Sequence, residues 1–288
     1  MKQIRYFLEA VLLYVLTFIF RIMPVDLASD IGGYLGRKIG SRLAASRKAI
    51  RQVEEHLPEL DGVRVVNDMW ENLGRIIGEY PHLKTIARHR VKIENLEIIQ
   101  GYMNVGQPCI FFSGHMANWE IPPPTLLIQQ GKAVDITYRA PNNPWVDKAL
   151  LRMRNMGGRI NAYAKSRTGA QQMLKALRQG HMMCFLIDQK YNEGVAVPFF
   201  KKPAMTNPAF VIMARKYNYP LVPIQIIREE GANFRIVIHE PLKITGDMSN
   251  EDVIAEAHGL LEDWIAKRPE QWLWLHRRWD NLKSKEKD

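Results

Sequence analysis

Two side chains that are able to move a proton lie five positions apart in the middle of the chain. His115 and Glu120 follow a short apolar run, Cys109–Phe112, which predicts a buried strand, and Ser113 and Gly114 give that strand a sharp exit. Five residues of regular helix turn the chain by about 500°, which would leave the two side chains roughly 140° apart. They can therefore cooperate only if His115 lies in the loop after the strand and Glu120 lies in the next turn or at a helix start.

A histidine within hydrogen-bond reach of a carboxylate has a fixed tautomer and a more basic ring. Such a pair is equipped to take a proton from a hydroxyl group. By spacing alone, a loop histidine beside a solvated glutamate is the more common interpretation. The choice between the two depends on the rest of the chain.

Polar side chains also follow two other apolar runs. Arg139 comes directly after a predicted strand that ends at Tyr138, and Asp188 and Gln189 follow the run 182–187. Ligands of parallel sheets bind beyond the carboxyl ends of the strands, so we expect His115, Arg139 and Asp188 to share one site. Arg139 suits a phosphate or a developing oxyanion, with a structural ion pair as the alternative. Asp188 could organise nearby basic groups or simply form a turn.

The elements that would position these residues alternate from Pro108 onward. Strands are predicted at 109–113, 133–138, 182–187, 220–227 and 234–239, and helices at about 144–155, 168–179, 206–217 and 250–267. This alternation predicts an α/β fold with a mixed, mostly parallel central sheet flanked by helices. We expect three regions: an amino-terminal membrane anchor helix (1–24), a helical subregion (25–100) and an α/β catalytic core (101–288).

The amino-terminal segment is nearly all apolar from Tyr6 to Met23, with Glu9 and Arg21 near its ends. It predicts a helix that crosses the membrane or lies in its interface, and a helix packed on the protein core is the alternative. Several basic residues follow it: Arg37, Lys38, Arg42, Arg47, Lys48 and Arg51. They place the next domain on the cytoplasmic side by the positive-inside rule and would attract anionic lipid, unless they form only a solvated helix face. The glycines within Ala28–Ala44 predict a closely packed helix.

The net charge of +10 indicates a polyanionic partner. The two cysteines, Cys109 and Cys184, lie in strand-like runs, which predicts buried free thiols in a cytosolic domain. The sequence contains no His-Glu-x-x-His zinc motif, nucleophile elbow, Walker loop or dinucleotide fingerprint, so we expect neither a metal nor a cofactor. Ser113 lacks the elbow context of a nucleophile. The terminal Trp272, Trp274, His276 and Trp279 predict a packing cluster or interfacial anchor.

Four stretches carry a resemblance to a known family. They are Gly-His-x-x-Asn-Trp-Glu at 114–120, the run Tyr138–Asp147, Asp188 and Gln189 leading to Val197–Phe200, and Pro269–Trp279. In the same order, over nearly the whole chain, they resemble the late acyltransferases of lipid A biosynthesis. Those are lauroyl- and myristoyl-type enzymes of the lysophospholipid acyltransferase superfamily.

The resemblance implies a membrane-bound enzyme that moves an acyl chain from acyl-acyl carrier protein to a hydroxyl of a lipid A precursor, without an acyl-enzyme. It implies that His115 is the general base and Glu120 orients it, and that Asn118, Arg139, Asp188 and Gln189 bind substrate. The expected partners are the acyl carrier protein, a phosphorylated glycolipid acceptor and anionic lipid, and no nucleic acid. The expected location is the inner membrane, with the catalytic domain on its cytoplasmic face.

The sequence departs from the family pattern at two places. Ala117 replaces a usual glycine, which matters only if that position needs the backbone angles of glycine. Pro122–Pro124 predict that the helix after the motif begins late. Two alternatives stay open at this point. The acceptor could be a lysophospholipid or a phosphatidylinositol mannoside, or the chain could be a basic membrane-surface or nucleic-acid binder without enzymatic activity.

Overall fold

The computed structural model describes residues 2–279, so the last nine residues of the predicted core, 280–288, lie outside it. Within the described residues the helices are α1 (Lys2–Ile22), α2 (Val25–Gly40), α3 (Ala44–His56), α4 (Gly62–Glu79), α5 (Leu83–His89), α6 (Leu96–Asn104), α7 (Pro122–Gln130), α8 (Pro144–Arg154), α9 (Arg167–Arg178), α10 (Ala209–Tyr217) and α11 (Asn250–Lys267). Two short 3₁₀ turns, Tyr80–His82 and Pro269–Gln271, extend α4 and follow α11.

The strands are β1 (Val91–Glu94), β2 (Ile110–Ser113), β3 (Val134–Tyr138), β4 (Ala162–Ala164), β5 (Met182–Leu186), β6 (Val195–Phe199), β7 (Lys202–Thr206), β8 (Leu221–Arg228) and β9 (Phe234–Ile238). Seven of them form one sheet in the order β1-β9-β8-β2-β5-β3-β4, and β6 pairs with β7 in a separate hairpin. All neighbours in the large sheet are parallel except β8 and β9. The predicted α/β fold with a mostly parallel sheet is confirmed.

The centre of the sheet is the most apolar part of the protein. Every residue of β2 and of β8 is buried, as expected for strands that helices cover on both faces. The five predicted strands and four predicted core helices are all present, with ends that differ by at most three residues. Strand β1, the three-residue β4 and the hairpin of β6 and β7 were not predicted from the sequence. The hairpin lacks a strong strand signal because Pro198 and Pro203 face each other within it.

The amino-terminal helices pack unusually closely. A Cβ atom added to Gly32 would lie 2.4 Å from the carbonyl oxygen of Gly74, and one added to Gly36 would lie 2.3 Å from that of Trp70. Glycine is therefore required where α2 crosses α4, as the glycine spacing predicted. Helix α2 ends at Gly40, whereas the sequence predicted one helix up to Ala44, and α3 begins at Ala44.

Helix α1 turns most of its apolar surface outward. Its 21 residues are long and apolar enough to cross a membrane, and only 17% of its most apolar window is buried against the protein. Its exposed large apolar residues are Ile4, Phe7, Leu8, Val11, Leu12, Tyr14, Val15, Phe18, Ile19 and Ile22. Such a continuous apolar face is typical of a helix in contact with lipid.

The loop after β2 leads into α7, which begins at Pro122 and holds three prolines in its first turn. This confirms the prediction that the helix after the histidine motif begins late. Proline is well tolerated there because the first N–H groups of a helix have no partner within it. His115 and Glu120 therefore both lie in the irregular segment between β2 and α7.

Candidate active site

Backbone hydrogen bonds join the loop that carries His115 to the carboxy-terminal segment of the described chain. Met116 and Trp272 form an isolated antiparallel bridge. The N–H of Ala117 donates to the carbonyl of Gln271 at 2.8 Å, and the N–H of Leu273 donates to the carbonyl of His115 at 3.1 Å. These backbone contacts fix the position of His115 at the carboxyl end of β2, as predicted.

Asp188 holds the imidazole of His115. Its Oδ1 lies 2.7 Å from Nδ1 of His115, and its Oδ2 accepts the His115 N–H at 2.8 Å and the indole N–H of Trp272 at 2.7 Å. The Asp188 side chain is fully buried. Burial alone would raise its pKa, but the charge and hydrogen bonds of His115 outweigh burial, so the pKa lies well below its usual range. Asp188 is therefore ionised, and Nδ1 carries the proton that it accepts.

The prediction that Glu120 orients His115 is wrong, and Asp188 takes that place. The reason lies in the sheet: β2 and β5 are parallel neighbours, with Ser113 opposite Leu186, so the residues just beyond their ends meet. The predicted role of Asp188 in the binding of substrate also changes, because its buried carboxylate faces the histidine. Sequence distance favoured Glu120, whereas sheet order favours Asp188.

Glu120 instead forms an ion pair with Arg154 at the end of α8. Nε of Arg154 donates to Oε2 at 2.9 Å, and Nη2 donates to Oε1 at 2.5 Å. Burial would lower the pKa of Arg154, but Glu120 and the neighbouring Tyr80 raise it above its usual value, so the pair is ionic. Both residues line the central cavity described below. A role of Glu120 in catalysis remains a prediction.

Asn118 lies beneath the site and has no exposed surface. Its Oδ1 accepts the N–H of Glu120 at 3.2 Å, and its Nδ2 donates to Glu79 at 2.9 Å. Glu79 in turn pairs with Arg228 of β8, whose Nη2 lies 3.0 Å from its Oε2. Asn118 was predicted to contact the substrate, but its side chain instead hydrogen-bonds to Glu120 in the histidine loop and to Glu79 of a buried ion pair. Asn118 therefore positions the loop.

Ala117 adopts a left-handed backbone conformation, with φ of +47°. Its carbonyl accepts a hydrogen bond from Asn72 at 3.0 Å, which together with its own N–H contact holds it in place. A left-handed conformation costs an alanine roughly 1–2 kcal/mol, a cost that glycine avoids. The replacement of the usual glycine therefore does matter.

Gln189 connects two imidazole rings. Its Nε2 lies 3.0 Å from Nε2 of His115 and 3.0 Å from Nε2 of His276. The two rings are 5.1 Å apart and nearly perpendicular. Burial, followed by the charge of His115, lowers the pKa of His276 to about 4. The sequence analysis placed His276 in a packing cluster, and only its presence in the Pro269–Trp279 motif hinted at the site.

The central cavity beside these residues has a volume of about 450 Å³. Its polar wall includes His115, Glu120, Arg139, Lys165 and Gln189. The apolar wall comes mainly from α1, α4 and α8: Leu13, Leu16, Phe20, Leu73, Ile76, Ile77, Leu150 and Met153. A mostly apolar cavity with a few convergent polar groups is the usual form of a small-molecule site. The predicted residues His115, Arg139 and Gln189 thus do lie together.

Two cations on this wall are not neutralised. Within residues 2–279, neither Arg139 nor Lys165 forms an ion pair. Burial lowers the pKa of Lys165, Asp188 opposes this, and the like charge of Arg139 adds to the lowering. Lys165 follows β4, and the sequence analysis missed it because it missed that strand. Two uncompensated cations suit an anionic ligand.

The chain is similar to known enzymes along most of its length. The family model described as bacterial lipid A biosynthesis acyltransferase matches residues 1–281. The chain is 26% identical over 272 residues to a lipid A biosynthesis acyltransferase of Haemophilus influenzae, covering 89% of this chain and 85% of that protein. It is 29% identical over 147 residues to the lipid A biosynthesis lauroyltransferase of Escherichia coli, covering 49% of this chain and 46% of that one.

A crystal structure of the 1-acyl-sn-glycerophosphate acyltransferase from Thermotoga maritima covers 93% of this chain and 98% of that chain, with a TM-score of 0.41 and 15% identity. That likeness is too low to carry an argument. The family model, however, spans nearly the whole sequence. The chain therefore belongs to the bacterial lipid A biosynthesis acyltransferase family.

Proposed function

We propose that the protein transfers a fatty acyl chain from the thioester of acyl-acyl carrier protein to a hydroxyl of a lipid A precursor, at the cytoplasmic face of the inner membrane. Family membership supplies the reaction class and the pathway. The observation that carries the rest is the imidazole of His115, oriented by a buried carboxylate, on the wall of a largely apolar cavity.

His115 is the general base of this reaction. Its Nδ1 keeps its proton and donates it in a hydrogen bond to Asp188, which leaves the lone pair of Nε2 for the proton of the acceptor hydroxyl. As that proton moves to Nε2, the acceptor oxygen bonds to the thioester carbonyl carbon. The carbon–sulfur bond then breaks, and the proton passes from Nε2 to the sulfur that leaves. Asp188 stabilises the positive ring that exists between the two proton transfers.

The transfer is direct, without an acyl-enzyme. Cys184 lines the cavity, but burial raises its pKa to about 12, and burial raises the pKa of Cys109 to about 12 as well. Both thiols therefore stay protonated and poorly nucleophilic. Ser113 is almost fully buried at the end of β2. The acceptor hydroxyl is thus the best nucleophile available to the thioester.

Arg139 and Lys165 bind the negative charge of the substrates. Both line the cavity together with His115, and neither has a carboxylate partner within the described residues. They are suited to a phosphate of the acceptor, or to the oxyanion that forms when the thioester is attacked. Glu120 and Arg154 lie in the same wall as an ion pair with no net charge.

The apolar part of the cavity holds the acyl chain. Its walls are leucine, isoleucine, methionine and phenylalanine side chains from α1, α4 and α8. Each methylene that enters such a site contributes about 0.8 kcal/mol, so the length of the cavity determines which acyl chains bind well. Because α1 supplies both this wall and the outward apolar face, a membrane bound by that face would lie next to the cavity.

The surface charge suits the other partners. The net charge of +10 favours an acidic carrier protein and an anionic membrane surface. A basic surface binder without activity would have no need of an oriented imidazole. The expected location therefore remains the cytoplasmic face of the inner membrane.

Purified protein in detergent tests this proposal directly. It is incubated with a lipid A precursor and a panel of acyl-acyl carrier proteins of different chain lengths, and products are read by mass spectrometry. We expect one added acyl group on the glycolipid and no change in the mass of the protein when donor is present alone. Transfer to a lysophospholipid but not to the lipid A precursor would overturn the acceptor, and a stable acylated protein would overturn the direct mechanism.

A further inference from the structure

Both ring nitrogens of His115 have hydrogen-bond partners within the protein. Nδ1 donates to the ionised Asp188, so the neutral ring must accept at Nε2. The atom that it accepts from is Nε2 of Gln189, 3.0 Å away. The lone pair that the reaction needs is therefore covered by an amide N–H group.

The amide of Gln189 has two N–H groups, and both are used. The second lies 3.0 Å from Nε2 of His276. Burial keeps His276 neutral down to a pKa of about 4, and Nε2 of the neutral ring accepts this N–H in the tautomer that carries its proton on Nδ1. The result is a continuous chain from Asp188 through His115 and Gln189 to His276.

The hydrogen bonds from Asp188 to His276 run in one direction, from donor to acceptor, and His276 sets that direction. A glutamine amide can turn over and present its oxygen in place of its nitrogen. If Gln189 turned over here, its oxygen would face the lone pairs of two neutral imidazoles. With His276 in place, the amide nitrogen must therefore point at His115.

We propose that Gln189 and His276 are positioning residues that keep Nε2 of His115 unprotonated and covered until the acceptor hydroxyl displaces the amide. Gln189 then keeps its bond to His276 and frees the base. The amide competes with water for Nε2 in the meantime, which slows hydrolysis of the thioester. The inference rests on the proposed role of His115 as the base.

Other charged groups also act on this ring. Asp188 contacts Nδ1, and Lys165 and Arg278 act through their charges on Asp188 and His276. Arg139 and the Glu120–Arg154 pair line the same cavity. None of them contacts Nε2 of His115, so a change of Gln189 or His276 that leaves them in place isolates the effect of the amide.

The test is a pH titration of His115 by NMR, in protein with ¹⁵N-labelled histidine and without substrate, for four variants. Gln189→Ala removes the N–H donor, and we expect the pH at which the ring takes up its second proton to rise by about half to one unit. His276→Phe allows the amide to turn over and present its oxygen to the protonated ring, so the midpoint rises as well. The double variant should match Gln189→Ala, because His276 acts only through Gln189.

Trp274→Phe is the matched control. It removes a partly buried hydrogen bond, from Trp274 to the carbonyl of Pro269, in the same segment but outside the series of contacts from Asp188 to His276, and should not shift the midpoint. The acidic limb of kcat/KM against pH should move with the NMR midpoint, and thioester hydrolysis without acceptor should increase in Gln189→Ala. An unshifted His115 in both Gln189→Ala and His276→Phe would overturn the inference. Since the titration needs no turnover, that failure is distinct from a failure of the proposed acyl transfer.

Discussion

Replacement of Asp188 by asparagine tests which carboxylate supports the base. The carboxylate oxygen lies 2.7 Å from Nδ1 of His115, so the charges of an imidazolium and Asp188 are about 4 Å apart. At an effective dielectric constant of about 20, that attraction is worth roughly 4 kcal/mol. Asparagine removes it, and a loss of this size corresponds to about a 10³-fold lower kcat, since each 1.4 kcal/mol is a factor of ten.

The matched variant is Glu120→Gln. It breaks the pair with Arg154 but leaves the contact of Asp188 with Nδ1 untouched. The assay is acyl transfer under saturating donor, together with the NMR signal of the His115 Nδ1 proton and the melting temperature of each variant. The Nδ1 signal should vanish or shift strongly in Asp188→Asn and persist in Glu120→Gln. The opposite pattern, or a kcat for Asp188→Asn within tenfold of the parent at equal stability, would refute the reasoning.

Three further predictions concern the cavity, stability and the loop. Leu16→Trp, inside the cavity, should reduce transfer of the longest acyl chains about fourfold per excluded methylene, whereas Leu12→Trp on the exposed face of α1 should not, as read by mass spectrometry over a donor series. As pH drops from 6.5 to about 4, the free energy of unfolding should fall by at most about 3 kcal/mol for each buried neutral histidine, because only the unfolded chain takes up a proton in that range. Urea unfolding at a series of pH values measures this, and an unfolding free energy that does not change with pH would contradict it. Three histidines have a pKa that burial lowers to about 4: His56, His258 and His276. Ala117→Val should destabilise the protein by at least about 2 kcal/mol, because a buried, branched side chain is strained at φ of +47°, and an unchanged urea midpoint would argue against that strain.

The sequence predicted the fold well because its central strands are strongly apolar and its helices strongly periodic. It also placed His115, Arg139 and Gln189 correctly, since residues that follow parallel strands meet at one edge of the sheet. It could not predict that Asp188, 73 positions from His115, is the partner, because that contact depends on the strand order. Nor could it find Lys165, which follows a strand of only three residues, or His276, which tertiary packing brings to the base.

The backbone of the histidine loop shows the same limit. The sequence identified Ala117 as a departure from the family and Pro122 as a late helix start. The helix start followed from proline chemistry alone and was confirmed. The importance of Ala117 depended on its φ angle, which contacts with Asn72 and Gln271 impose from distant parts of the chain.

The most direct test of the central claim is the rate of acyl transfer by His115→Gln. Glutamine keeps much of the size and polarity of the side chain but cannot accept the proton of a hydroxyl at neutral pH. The account predicts a loss of about 10²- to 10⁴-fold in kcat, with a cooperative melting transition and unchanged binding of the glycolipid. A variant that transfers acyl chains within a few-fold of the parent rate would contradict it.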